Sequence, residues 1–302
     1  MLLTGNSAVF GYMLPSDETV AGLLNDRFRR TAVSAHIFNL AFFTTYQVKD
    51  AVIVHQALAY APDIIVHAVT LADFAHQAPL PFPVDAEFFR QNSLEVQRLA
   101  AERPPGLTEP LAAYELQPLP TPARRRWMHL GEVGAMVRAE VRELARAARA
   151  IMGPVEATPV VPGPISLAYD CDETKAAAAR DFQDWEQWNI LAYLEHIRAT
   201  TGVQVVLVNW PMAKQPVSDC YNVRYPAALV EQYEGWLRRE AETRRLPYVD
   251  LSDVVPAEEF RDSLHLTVNG QHIVAEWLAP LLEQEIAAVL QRKRGSHAEP
   301  AG

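Results

Sequence analysis

Two short segments near opposite ends of the chain carry residue types able to do covalent chemistry together. Gly5-Asn6-Ser7 follows directly on an apolar run, Leu2 to Thr4, and precedes Ala8-Val9-Phe10-Gly11. A serine at the carboxyl end of a first parallel strand stands where open α/β sheets place their ligands, and Gly5 permits the sharp turn that would expose its hydroxyl. The second segment, Asp262-Ser263-Leu264-His265, comes just before the final apolar-periodic stretch. A serine hydroxyl is a poor nucleophile near neutral pH, so it needs a base within hydrogen-bonding reach, and that base needs an orienting carboxylate. Histidine suits the role, and an Asp three residues before it can fold back to its other ring nitrogen. Each segment alone has a plain structural alternative: Ser7 capping the following turn, or Asp262 and His265 forming a local loop hydrogen bond.

Together the two segments resemble the SGNH (GDSL-like) hydrolase family, in which a G-D-S or G-N-S near the start supplies the nucleophile and a D-x-x-H near the end supplies acid and base. His265-Leu266-Thr267-Val268-Asn269-Gly270 is similar to that family's H-L-x-x-x-G. Phe38-Asn39-Leu40-Ala41 resembles its second block, and Ala61 to Val66 the strand leading to its third. The resemblance spans roughly 1 to 78 and 200 to 290. It implies Ser7 as nucleophile, His265 as general base and then acid, and Asp262 as its orienter.

The chain also departs from that pattern. The family's oxyanion hole uses the serine N–H, a glycine N–H in the second block and an asparagine side chain in a G-x-N-D third block. Here the glycine position falls at or near Thr44, and the third block reads Val69-Thr70-Leu71-Ala72-Asp73, so Ala72 stands in place of the asparagine. Losing one oxyanion donor typically costs about 10²- to 10³-fold in turnover. Thr70 is the candidate replacement donor; the alternatives are slower or different chemistry, or none. Asp73 would oppose an oxyanion and reads as a cap on the turn after its strand. Asn39 and Asn209 are further candidates to line the pocket, while Trp210-Pro211 reads equally well as only shaping the turn after its strand.

These residues require an α/β scaffold, and the hydropathy pattern supplies one. Apolar runs at Leu2–Thr4, Ala32–Leu40, Asp63–Val69, Val203–Asn209 and Tyr248–Leu251 read as strands. Amphipathic stretches at Asp17–Phe28 (Ser16 as N-cap), Tyr46–Tyr60, Tyr225–Arg244 and Val268–Leu290 read as helices. The expected architecture is three-layer and doubly wound, with a five-stranded, mainly parallel sheet of the flavodoxin-like SGNH type. Residues 1–78 and 165–292 would form this domain, with 293–302 a disordered tail. A helical, proline-rich insertion would occupy 79–164, its centre a helix over Trp127–Met152 with Arg138, Arg142, Arg146 and Arg149 on its polar face. That helix reads as docked on the core with a solvated basic face, as a lid, or as a surface for membrane headgroups or anionic glycans.

Composition narrows the function classes. The chain has 302 residues, 49% of them hydrophobic, and 27 basic against 37 acidic side chains give a net charge of −10. That sign repels phosphate backbones, so no nucleic-acid partner is expected. Gly5, Ser7 and Gly11 do not fit a dinucleotide-binding glycine loop, and His36, His55, His67 and His76 lack metal-site spacing. His67 reads as a satisfied core residue, the acidic run Asp170 to Glu173 as solvated surface, and no metal or cofactor is expected. Cys171 and Cys220 could pair but make no disulfide scaffold. No stretch offers the roughly 18 to 20 apolar residues of a membrane span, and no signal peptide is evident. The brevity of the first strand suggests residues upstream of Met1, among them a targeting segment or anchor. The function expected is a serine esterase acting on small acyl esters, carbohydrate- or lipid-linked. The alternatives are an O-acyltransferase acting on a glycan with the same three residues, and a binding protein that has lost efficient catalysis.

Overall fold

The structure is a computed structural model that describes residues 1–31, 33–42, 47–75, 88, 91–108, 111, 190–214 and 227–296. Thr44, Cys171, Cys220, the helix expected over Trp127–Met152 and most of 79–164 lie outside them. Among the described residues the strands are β1 (Leu2–Thr4), β2 (Phe38–Asn39), β3 (Ile64–Val69), β4 (Gln204–Asn209) and β5 (Tyr248–Asp250). They form one all-parallel sheet in the order β2-β1-β3-β4-β5. β3 is buried along its whole length and β4 along nearly all of it, which is why both are continuous apolar runs in the sequence.

The helices are α1 (Ser7–Phe10), α2 (Val20–Arg30), α3 (Gln47–Ala57), α4 (Leu71–Ala75), α5 (Ser93–Glu102), α6 (Ile190–Thr201), α7 (Ala227–Thr243) and α8 (Val268–Ser296). Parallel crossovers are right-handed. The one connection running from β1 outward to β2 therefore places α2 on the face opposite α3, α6 and α7, whose connections run the other way. The packing agrees: α2 lies against α8, while α3 meets α5 and α6, and α7 covers β4 and β5. Arg27 Nε donates to Glu283 at 2.9 Å across the α2–α8 contact. Gln271 of α8 accepts the first orphan N–H of α2, from Val20, at 3.0 Å.

Several elements differ from the sequence expectation. Thr19, not Ser16, caps α2, its Oγ1 accepting from Gly22 at 3.3 Å; Ser16–Glu18 forms a separate 3₁₀ turn after Pro15. The second strand is confined to Phe38–Asn39, because its partner β1 is only three residues long and Asn25 of α2 already takes both backbone groups of Ile37. The last helix runs on past Leu290 to Ser296, and its Lys293 pairs with Asp63. α6 was not anticipated, although Ile190, Leu194 and Ile197, all buried, repeat at helical spacing. No helix among the described residues is long and apolar enough to cross a membrane.

Candidate active site

Parallel pairing aligns the carboxyl ends of all five strands along one sheet edge, and the chain leaves β1 in the direction opposite to the strands that follow. The loops after β1 and β3 thus flank the point where the winding reverses, the usual ligand crevice of such sheets. Gly5 turns the chain out of β1 at φ +148°, and a Cβ there would lie 2.6 Å from the Ala68 carbonyl oxygen and 2.8 Å from Val9 Cγ2. Gly5→Ala is therefore expected to destabilise the fold by more than about 1 kcal/mol in urea melts, since both the backbone angle and the space exclude a side chain. Asn6 is the N-cap of α1, its Oδ1 accepting the Ala8 N–H at 2.9 Å, and Ser7 opens the helix.

The other half of the site comes from a tight loop before α8. Phe260 and Leu266 form an antiparallel bridge, Thr267 N–H donates to Glu259 O at 2.8 Å and Arg261 N–H to His265 O at 2.7 Å. This closes the loop around Asp262 and His265. Asp262 Oδ1 accepts the N–H groups of Leu264 (2.9 Å) and His265 (2.8 Å), leaving Oδ2 for His265 Nδ1 at 2.7 Å. Burial opposes ionisation of Asp262, but the hydrogen bond and charge of His265 and the two backbone N–H groups outweigh it and hold the carboxyl below its usual range. An ionised carboxylate only accepts, so Nδ1 carries the proton and Nε2 presents a lone pair. Ser7 lies there: its hydroxyl donates to His265 Nε2 at 2.9 Å.

The Arg261 side chain, buried, ties the two halves together by donating from Nη1 to the Tyr12 carbonyl at 3.1 Å. The Tyr12 ring packs on the imidazole with centroids 5.4 Å apart. Ser263 O accepts from Ala213 N–H at 3.1 Å, anchoring the loop to the segment after β4. Neither Arg261 nor Tyr12 was singled out from sequence; each acts through contacts between distant segments.

The structure thus brings together Ser7, His265 and Asp262. The remaining sequence candidates fall elsewhere. Thr70 accepts Asn6 Nδ2 at 3.0 Å and gives its hydroxyl proton to Asp73 Oδ2 at 3.0 Å, so that hydroxyl is committed beneath the site. Asn39 bridges the Phe10 carbonyl and the Ala41 N–H, each at 3.2 Å. Asn209 is buried between Tyr233, which donates to its Oδ1 at 3.1 Å, and Asp250, 3.0 Å from its Nδ2. Trp210 is buried as well, with its backbone N–H on the Val69 carbonyl at 2.8 Å. His67 bonds Thr4 Oγ1 through Nδ1 at 2.9 Å, but its Nε2 has no partner among the described residues; burial lowers its pKa to about 4 and keeps the ring neutral. Among the described backbone donors the Ser7 N–H, first in its helix and without an intrahelical acceptor, is placed to meet charge developing on a bound carbonyl.

Fold and site define an α/β protein whose doubly wound parallel sheet carries a Ser–His–Asp hydrogen-bond relay at its carboxyl edge. No protein-family model matches the chain, and no curated protein matches it. Among solved structures it is similar to TesA, at 12% identity over 94% of this chain and 98% of that one, with a TM-score of 0.46. It is similar also to a carbohydrate acetylesterase family member from Sinorhizobium meliloti, at 12% identity over 95% and 98% of the two chains and a TM-score of 0.45. A third is the acetyl xylan esterase AlAXEase, at 10% identity over 92% and 98% and a TM-score of 0.44.

Proposed function

We propose that this chain is a serine hydrolase of acyl esters, working through an acyl-enzyme without a metal. The observation that carries the reading is the continuous relay from Ser7 Oγ through His265 to Asp262, with links of 2.9 and 2.7 Å. Ser7 Oγ attacks the ester carbonyl as its proton passes to His265 Nε2, and the tetrahedral oxyanion forms against the Ser7 N–H. His265 then gives that proton to the leaving alcohol, leaving Ser7 acylated. Water, deprotonated by the same Nε2, attacks the acyl carbon and releases the acid. Throughout, Asp262 fixes the imidazole tautomer and stabilises the imidazolium that forms twice per turnover. The substrate class expected from the family resemblance is small acyl esters of carbohydrate or lipid-like alcohols.

The test is covalent labelling with a fluorophosphonate, which needs an activated serine but no particular leaving group, together with release of p-nitrophenol from p-nitrophenyl acetate. The expected result is a single adduct whose peptide mass maps to Ser7. Well-folded protein that stays unlabelled overturns the proposal.

A further inference from the structure

Beneath Ser7 lies a buried polar cluster that the relay does not use. Asn6 is completely buried and its amide is engaged on both sides: Oδ1 caps α1 through Ala8 N–H, while Nδ2 donates to Thr70 Oγ1 at 3.0 Å and to Asp73 Oδ2 and Oδ1 at 2.9 and 3.1 Å. Asp73 Oδ2 also accepts the Thr70 N–H at 2.7 Å and its hydroxyl at 3.0 Å. Every hydrogen-bond partner that the described residues place on the two carboxylate oxygens is a donor. With both carboxylate oxygens accepting, Asp73 holds the nitrogen end of the Asn6 amide toward itself and the oxygen toward α1; a proton on Asp73 turns one of those acceptors into a donor.

Building on the reading of the chain as a serine hydrolase, we propose that Asp73 is a positioning residue for Ser7. Its carboxylate fixes the Asn6 amide, Asn6 caps the single helical turn that carries Ser7, and a proton on Asp73 loosens that hold.

The groups that face Asp73 come from four directions. Asn6 approaches from the turn after β1, Thr70 from the end of β3, Lys49 and Asp50 from α3, and Tyr233 from α7, where it packs on the neighbouring Phe74 ring. Gln47 of α3 holds the Asp73 backbone carbonyl at 3.1 Å. Burial and then the charge of Asp50 push the Asp73 carboxyl up to about 7, against the Thr70 N–H, the Lys49 charge and the Asn6 amide. Protonation therefore occurs in the range where a histidine-based hydrolase works. The sign for stability is opposite to that for activity. Because the folded carboxyl holds its proton more tightly than the free one, its contribution to folding falls as pH rises from about 4 to about 7. Over the same rise the donors around Asp73 regain their acceptor and Ser7 its alignment.

The experiment follows the rate of fluorophosphonate labelling of Ser7 from about pH 5 to about pH 8 in wild type, Asp73→Asn and the exchanged pair Asn6→Asp/Asp73→Asn. In wild type a proton on Asp73 lowers the labelling rate without abolishing it, so the pH profile carries a step of about 10- to 100-fold at the Asp73 titration. Asp73→Asn is expected to label about 10- to 100-fold more slowly at the alkaline end of that range, with the step absent from its profile. The exchanged pair restores one donor facing one acceptor and is expected to recover most of the rate. Folded Asp73→Asn that labels like wild type throughout the range overturns the inference; so does a folded exchanged pair no faster than Asp73→Asn. Wild type that labels at no pH overturns the hydrolase reading and this inference with it.

Discussion

Ser7→Ala is expected to lower turnover of a reactive ester by about 10⁶-fold, with His265→Ala close behind and the double variant no worse than either single one. The relay is one device: without the imidazole the hydroxyl keeps its proton, and without the hydroxyl the imidazole has nothing to activate. What survives in each variant is binding and the backbone donor at the start of α1, which together sustain a residual acceleration over water. Steady-state kinetics with p-nitrophenyl acetate measures all three variants. Losses that multiply in the double variant would mean that the two residues act on separate steps, and the mechanism given above would be wrong.

The second large effect concerns stability. Lys49 is completely buried, as is its neighbour Asp50, whose carboxylate lies 3.1 Å from the ammonium. The same ammonium donates to the carbonyl of Gly5 at 3.2 Å and of Phe42 at 3.1 Å, tying the nucleophile turn to the chain that continues β2. Removing one member of a buried pair strands the other charge out of water, at a cost of about 3–5 kcal/mol. Lys49→Met is expected to show that loss in urea denaturation, with a fall in melting temperature on the order of 10 °C. Lys49→Met/Asp50→Leu, which removes both charges, is expected to regain most of it. If the double variant were as unstable as the single one, the two carbonyls that Lys49 holds would be the larger part of its contribution.

The relay was legible because its parts are local patterns: a glycine turn after an apolar run, and a D-x-x-H before a helix. The sheet was legible for a similar reason, since β3 and β4 are buried on both faces and so admit almost nothing but apolar residues around His67. Lys49 and Asp50 escaped notice because two adjacent charges within a helix read as a solvated face. Their burial depends on the carbonyls of Gly5 and Phe42, which only the folded chain brings there. Asn6 enters the sequence pattern only as part of G-N-S, and its two-sided hydrogen bonding depends on Asp73, which only the fold brings beside it. Thr70, singled out as a donor toward the reaction, turned out to face inward, because Asp73 three residues later captures both its N–H and its hydroxyl. Asp73 does cap that turn, as its position after the strand suggested.

The hydrogen bond between Ser7 and His265 joins residues 258 positions apart. During vectorial synthesis on the ribosome Ser7 emerges 258 residues ahead of His265, so over that stretch of translation its hydroxyl has no imidazole beside it. Closing so long a loop is slow and waits on the intervening strands. On the proposed serine-hydrolase reading, Ser7 therefore gains its base only once the sheet that joins the two segments has formed.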